Sequence, residues 1–367
     1  MHMTIPLKVL QAGLKTLAPA MKARTPLPIL KHVLIQGNTL TATDLDLRIE
    51  HTLTDVTTHL DHEATGCTVD YKTLADWVAL AKSDITLKLD RDQLHVTSGK
   101  SKTTLPTLPA EEFPLITWDE GERYEFPDGT LQQIIRKVDF ARAQQEETRA
   151  VMTGMLFSFG PDGLTLCGCD GRRLAYQTMP GMHEKREAVL SGIDVILGLQ
   201  GDISLTITSG AWLAQSGPNG STGGATKIGG RIMEGSFPDW RKVSTFDTPT
   251  LATLNRAELV ESLRRVLLFC QDKHSPHLVR MDFAGGVLRI TGETAGCGSG
   301  VEEIGTPGFP GELTIAFNGK YLLEGLTCVD TPAIEWGFQD AGRASRIRVG
   351  EWQYVTMPVK IREAVHA

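Results

Sequence analysis

The chain is 367 residues long, 41% apolar and 22% charged, which is enough apolar matter to bury real cores and excludes a disordered polymer. That length divides into three thirds of about 122 residues, each the size of an ordinary domain. A formal charge of −7 excludes a molecule coated in basic residues for nucleic acid but leaves a local basic face open.

The first predicted element is an amphipathic helix. Leu7, Leu10, Leu14 and Leu17 recur at helical spacing, opening at Pro6 and stopping before Pro19. Next come two apolar strands around a glycine turn, from Val33 through Gly37 to Leu40. A short helix capped by Asp70 and an alternating strand from Ile85 to Leu89 follow. The second third repeats this order. It has a helix with Leu131, Ile134, Ile135 and Val138, then strands from Met155 through Gly163 to Leu164. It continues with a helix start at Ser191 and a strand from Ile203 to Ile207. The third copy has Leu259, Val260, Leu263, Val266 and Leu267, strands from Met281 to Leu288, a cap at Asn318, and Ile334-Glu335-Trp336. Ile35, Phe157 and Phe283 are spaced 122 and 126 apart. Glu112-Phe113-Pro114 and Ser236-Phe237-Pro238 end the first two copies alike. The expectation is an α+β chain of three repeated domains, each with two helices and antiparallel sheets, over residues 1–122, 123–249 and 250–367.

Charge follows the repeat. Residues 1–43 hold no Asp or Glu but contain Lys8, Lys15, Lys22, Arg24 and Lys31. Lys8 and Lys15 are two helical turns apart on one polar stripe. Aligning the three first helices by their apolar positions makes Lys15, Arg136 and Arg264 equivalent, with Lys137 and Arg265 directly after the last two. A cation recurring on the outer face of the same helix points to a polyanion. Nothing resembles a base-reading helix, a zinc finger or an aromatic single-strand platform, so the contacts expected are to phosphates and are independent of sequence.

No catalytic constellation emerges. The stretch Gly217 to Lys227 lacks phosphate-loop spacing and reads as a hairpin loop. Gly296-Cys297-Gly298-Ser299-Gly300 is neither a dinucleotide fingerprint nor a nucleophile elbow. His51, His59 and His62 lack metal-ligand spacing and read as solvated, as do His274 and His277. Cys167 and Cys169 share one side of a strand without further ligands. Asp44 and Asp46, like Asp170-Gly171-Arg172, read as turn chemistry. Six scattered cysteines without CxxC pairs, no apolar run near the ~20 residues of a membrane span, and a start lacking a secretion signal lead to the expectation of a cytoplasmic, non-membrane protein with free thiols. No metal or cofactor is expected.

Several short strings, in order and at these spacings, resemble the bacterial DNA polymerase III sliding clamp (beta subunit) family over essentially the whole chain. They are Arg24-Thr25-Pro26-Leu27-Pro28-Ile29-Leu30, Thr43-Asp44-Leu45-Asp46, Gly154-Met155-Leu156-Phe157 and Asp170 to Ala175. The series continues with Glu234 to Trp240, Phe317-Asn318 with Tyr321-Leu322, and Tyr354 to Pro358. The resemblance implies a head-to-tail homodimeric ring. Six domains would present twelve helices to duplex DNA, with Lys8, Lys15, Arg24, Arg136, Lys137, Arg149, Arg264 and Arg265 facing it. It implies a processivity factor without a catalytic site of its own. The implied partners are a clamp loader, the DNA polymerase III catalytic subunit and other proteins carrying a clamp-binding peptide.

The pocket for that peptide would be built from Met152, Cys169, Gly171, Arg172, Arg173, Leu174, Pro238, Val243, Tyr321, Val355, Met357 and Pro358. Its apolar members can hold leucine and aromatic side chains, and methionine adapts to varied ligands. Cys169 stands where the family commonly has threonine, Ala150-Val151 where some relatives have a tyrosine pair, and Ser191-Gly192 where a basic pair is found. The chain continues past the usual ending, from Ile361 to Ala367. The subunit interface would set Lys72 against Glu302 and Glu303, with Phe269 in an apolar patch. The alternatives are an accessory clamp paralogue and a non-enzymatic repeat scaffold.

Overall fold

The computed structural model describes all residues except 22–24, 59–65, 116–119, 145–148, 182, 218–223, 272–276 and 361–367. Arg24, His59, His62, His274, most of the glycine-rich segment and the C-terminal extension therefore lie outside the described residues. The chain forms two compact units, Met1–Gln132 with Leu190–Met233, and Gln133–Val189 with Glu234–Ala367.

Six α-helices occur among the described residues: α1 (Leu7–Leu17), α2 (Tyr71–Leu80), α3 (Thr130–Val138), α4 (Trp240–Ser244), α5 (Arg256–Leu267) and α6 (Gly319–Thr327). α1 buries Val9, Leu10, Leu14 and Leu17, while Leu7 stays half-buried. α3 buries Leu131, Ile134, Ile135 and Val138, and α5 buries Leu259, Val260, Leu263 and Val266. With buried Gly13 in α1 and Ser262 in α5, each helix has a buried set at i, i+3, i+4 and i+7, the stripe that a sheet-packed helix needs. The caps at Asp70 and Asn318 form as expected: Asp70 accepts from the Thr73 amide at 2.8 Å, and Asn318 accepts from the Lys320 and Tyr321 amides at 3.0 and 3.3 Å.

The second helix of the middle third differs from expectation. Ile193–Gly198 is a 3-10 helix, and the Ser191 hydroxyl donates to the Arg231 carbonyl at 2.8 Å instead of capping it. Gly192 at φ 60 occupies the cap position with no side-chain acceptor. The segment is rich in β-branched residues and ends on glycine, so a full α-turn gains little there.

Strands in each unit pair antiparallel. Among the described residues the first unit carries a 13-stranded sheet and the second an 8-stranded and a 4-stranded sheet. The first-unit sheet runs on from the first third into the second, because Thr226–Arg231 pairs with Leu47–Thr52, placing Ile228 opposite Ile49. In the second unit, Arg173–Met179 pairs with Trp352–Thr356, linking second-third and last-third sequence in one sheet. The Gly217–Ala225 connection joins antiparallel strands Ala211–Ser216 and Thr226–Arg231, as a hairpin requires.

The largest buried side chains include Trp212, Trp336, Trp352 and Tyr354. Each indole finds an acceptor: Trp212 donates to the Ser191 carbonyl, Trp336 to the Ser345 hydroxyl and Trp352 to the Lys137 carbonyl, all within 2.8 to 2.9 Å. His51 is not solvated, contrary to its sequence reading. It is 4% exposed, and its Nδ1 lies 2.8 Å from the Thr226 hydroxyl. Gly13 of α1 leaves room for the imidazole, since a Cβ there would stand 3.0 Å from the ring.

Candidate functional site

A tight turn at Asp170 positions the most distinctive residues of the second unit. Asp170 Oδ1 accepts from the amides of Arg172 and Arg173, both at 2.9 Å. Gly171 sits between them at φ +85, which glycine adopts without a Cβ penalty. The first third holds the same device. Asp44 Oδ1 accepts from the Asp46 and Leu47 amides at 3.0 and 2.7 Å, with Leu45 at φ 78. Both carboxylates therefore do turn work.

Side chains alternate along the strand that follows, so Arg173 and Leu174 point to opposite faces. On one face Arg173 is buried. Its Nε donates to Asp170 Oδ2 at 2.9 Å and its Nη1 to Glu324 Oε2 at 2.5 Å. Its guanidinium lies 4.0 Å from the Tyr321 ring centroid and 5.4 Å from that of Phe140. Burial alone would lower its pKa. The Glu324 hydrogen bond and the charges nearby outweigh burial and leave it above the ordinary arginine value. Tyr354 supports the arrangement from below, donating to the Tyr321 carbonyl at 3.0 Å and packing edge-on to Phe140. Burial first of all pushes the Tyr354 phenol far up, so it stays a neutral donor. Above Arg173 opens a cleft of about 620 Å³, lined among others by Asp170, Arg172, Lys320, Tyr321 and Glu324.

On the other face Leu174 lies opposite Val355, and both are buried. Two residues on, Tyr176 packs against Trp240 of α4, with ring centroids 5.0 Å apart. α4 is capped by Asp239, which accepts from the Lys242 amide at 3.4 Å. It carries Val243, 44% exposed, and follows half-buried Pro238. The end of the last strand joins the two faces. The Met357 amide donates to the Arg172 carbonyl at 3.0 Å, and the Met357 side chain is 47% exposed, with Pro358 half-buried beside it. Met152 and Cys169 are buried next to the turn: the Gly171 amide points at Cys169 Sγ at 3.3 Å, and a Cβ on Gly171 would stand 4.0 Å from the Met152 methyl.

The structure thus places Met152, Cys169, Gly171, Arg172, Arg173 and Tyr321 around one turn. Leu174, Val355, Val243 and Pro238 lie on the reverse of the same strand pair. Sequence reasoning missed Phe140, Lys320, Glu324 and Trp240 as members of this region. The helical spacing of Lys320, Tyr321 and Glu324 was the available signal, because residues three or four apart share a face.

The basic positions behave less uniformly than expected. Lys8, Lys15, Arg136, Arg149 and Arg264 are exposed. Lys137 is half-buried and reaches the Gln177 amide oxygen at 3.4 Å. Arg265 is occupied within the chain. It donates to both Glu302 oxygens, at 2.8 and 2.6 Å, because strand Gly298–Gly305 runs beside α5. The expected interface carboxylates therefore already have partners, Glu302 with Arg265 and Glu303 with Arg289 at 3.2 Å. Lys72 pairs with Asp76 on α2 at 2.5 Å. Phe269 is half-buried, with its ring against Gly298 and Gly300. Beside it Leu268 and Val301 are 64% and 51% exposed.

Burial pushes the thiols of Cys67, Cys270 and Cys328 up to about 11, so they stay protonated and inert. Among the described residues no cluster of three or more His, Cys, Asp or Glu could hold a metal, and no helix is long and apolar enough to cross a membrane.

Residues 1–117 match the family model for the DNA polymerase III beta subunit, N-terminal domain, and residues 246–360 match that for its C-terminal domain. The beta sliding clamp of Proteus mirabilis is 30% identical, with 92% of this chain and 94% of that protein covered. The beta sliding clamp of Pseudomonas putida is 28% identical, with 98% and 100% covered. The solved DNA polymerase sliding clamp of Pseudomonas aeruginosa superposes with a TM-score of 0.87 at 25% identity, covering 98% of this chain and all of that one. The Bacillus subtilis clamp gives 0.88 at 22% identity, covering 99% and 100%. The chain therefore belongs to the DNA polymerase III beta-subunit family, the beta sliding clamps.

Proposed function

We propose that this sliding clamp is a processivity factor that encircles duplex DNA and holds polymerases to it. Two copies join head to tail, each contributing domains over 1–122, 123–249 and 250–367. The family matches over 1–117 and 246–360 support the outer two domains. The observation that carries the DNA reading is the recurrence of Lys15, Arg136 and Arg264. Each is exposed one residue after the central buried position of its helix, in a protein of net charge −7. Cations repeated on one helix face suit a polyanion of regular pitch, and phosphate contacts without base contacts let the protein slide. Topological closure would then supply residence time, with no catalysis by the chain itself.

The region around Gly171 would take short peptides from the DNA polymerase III catalytic subunit, the clamp loader and other cytoplasmic partners. Leu174, Val355 and Val243 supply its apolar wall, and Met357 its adaptable rim. Arg149 and Arg24 belong with the DNA-facing set. Lys72, Phe269, Glu302 and Glu303 belong with the contact between copies.

The deciding experiment is gel filtration after loading by a cognate loader onto circular and linearised duplex DNA. Retention on circles with loss from linear ends is the expected result. Equal retention on both would reduce the protein to an ordinary phosphate binder. Retention on neither, with a competent loader, would overturn the clamp reading in favour of a repeat scaffold.

A further inference from the structure

The cleft above Arg173 has a charge balance opposite to that of the protein. Among the described residues it is lined by four cations, Arg142, Arg172, Arg173 and Lys320, against two carboxylates, Asp170 and Glu324, while the whole chain carries −7. Both carboxylates are engaged by Arg173, at 2.9 and 2.5 Å. Arg142 is held by Asp139 and by the Thr153 carbonyl. That leaves two cations at the mouth. The Arg172 guanidinium is exposed and has no carboxylate partner among the described residues. The Lys320 side chain is 57% exposed, and its ammonium stands 3.9 Å from a Glu324 carboxylate whose other oxygen serves Arg173.

We propose that this cleft selects linear peptides in which acidic residues flank the apolar anchor, the carboxylates being received by Arg172 and Lys320. The proposal rests on the peptide-pocket reading and names the chemistry of its preferred ligand. The backbone of Arg172 makes the link between the two parts. Its carbonyl holds the Met357 amide, so the apolar rim and the basic mouth meet at one residue. A peptide suits the cleft better than nucleic acid does. The Tyr321 face that could stack a base is already covered by the Arg173 guanidinium.

The test uses the full-length protein and two fluorescein-labelled synthetic peptides sharing a leucine–phenylalanine anchor. One carries glutamates on either side of the anchor and the other carries glutamines. Anisotropy titrations at low salt should show the glutamate peptide binding roughly fivefold to tenfold tighter, the scale of one or two exposed ion pairs. The preference should shrink in about 0.5 M salt, where screening shortens the reach of exposed charges. In R172Q and K320Q, both conservative changes at exposed positions, the ratio between the two peptides should fall towards one. In K88Q, which removes the same charge from an exposed strand position of the first unit, it should persist.

Equal affinity of the two peptides overturns the charge selection and leaves the pocket reading standing. Binding of neither peptide overturns both. A preference lost equally in K88Q would mark a whole-molecule charge effect and overturn the assignment to this cleft. Displacement of the probe by a single-stranded oligonucleotide as effectively as by unlabelled acidic peptide would make the cleft a nucleic-acid site instead.

Discussion

The Arg173 guanidinium rests 4.0 Å from the centre of the Tyr321 ring, and its Nη1 reaches Glu324 one turn further along α6. One side chain from the Asp170 turn therefore fastens to a helix almost 150 residues away in sequence. Removing it strands two carboxylates that are themselves half-buried or better. Arg173→Ala should cost about 3 kcal/mol of unfolding free energy, the scale for breaking a buried ion pair. Arg173→Lys should recover only part of that, because an ammonium cannot serve both carboxylates with a planar fork. Urea unfolding midpoints of the three proteins check this. A loss under about 1 kcal/mol for the alanine variant would show that the network positions the cleft without stabilising the fold.

His51 should make the protein acid-sensitive. Burial lowers its pKa below the ordinary value, so the unfolded chain binds a proton there more readily than the folded one. Its contribution to stability is present in full above the unfolded value of 6.5. That contribution is lost as pH falls from there towards the lower folded value, by up to about 1.4 kcal/mol per pH unit. Denaturant midpoints measured between pH 7.5 and pH 5.5 should fall more steeply for the native protein than for His51→Gln. Parallel slopes would show that His51 is not the group responsible. His32, lowered chiefly by burial and partly restored by Asp70, adds a slope of the same sign to both proteins.

The recurring helix cations predict a salt dependence. Each of Lys15→Ala, Arg136→Ala and Arg264→Ala should lower the slope of log affinity against log salt by about 0.9, if each neutralises one phosphate. The three together should lower it additively and weaken binding to all sequences alike. Arg265→Ala should change the slope less, because its guanidinium is committed to Glu302. Fluorescence titrations on duplex DNA across a salt series measure the five variants beside the native protein.

Self-association should depend more on Phe269 than on Lys72. The phenylalanine stands among exposed Leu268 and Val301, a patch suited to a contact core, and Phe269→Ala should weaken a dimer about a hundredfold. Lys72 already has Asp76, and Glu302 already has Arg265, so Lys72→Glu should cost only about tenfold, as rim charges do. Sedimentation equilibrium gives both constants. An unchanged constant for Phe269→Ala would remove this patch from the interface.

The helix stripes were legible because leucine and valine spacing states which face is buried, and the three copies reinforced one another. The turn at Asp170 was legible as turn chemistry, since aspartate followed by glycine admits few other uses. The 3-10 segment after Gly192 was not legible: Ser191 looks like a cap until its hydroxyl is seen to serve Arg231. His51 read as solvated because the strand's polar pattern says nothing of Thr226, 175 residues away, which holds it. The division of the pocket residues between two faces of a strand was hidden for a related reason. Adjacent residues such as Arg173 and Leu174 are neighbours in sequence and opposites in space. Glu302 also has a partner within its own chain, Arg265, which no sequence spacing announces.

The pairing of Thr226–Arg231 with Leu47–Thr52 has a mechanical consequence. Five register pairs, from Thr226 opposite His51 to Gly230 opposite Leu47, tie the first third to the second along a single ladder. A pull along those strands would load all five at once, in shear, and a bundle of parallel bonds fails only when they break together.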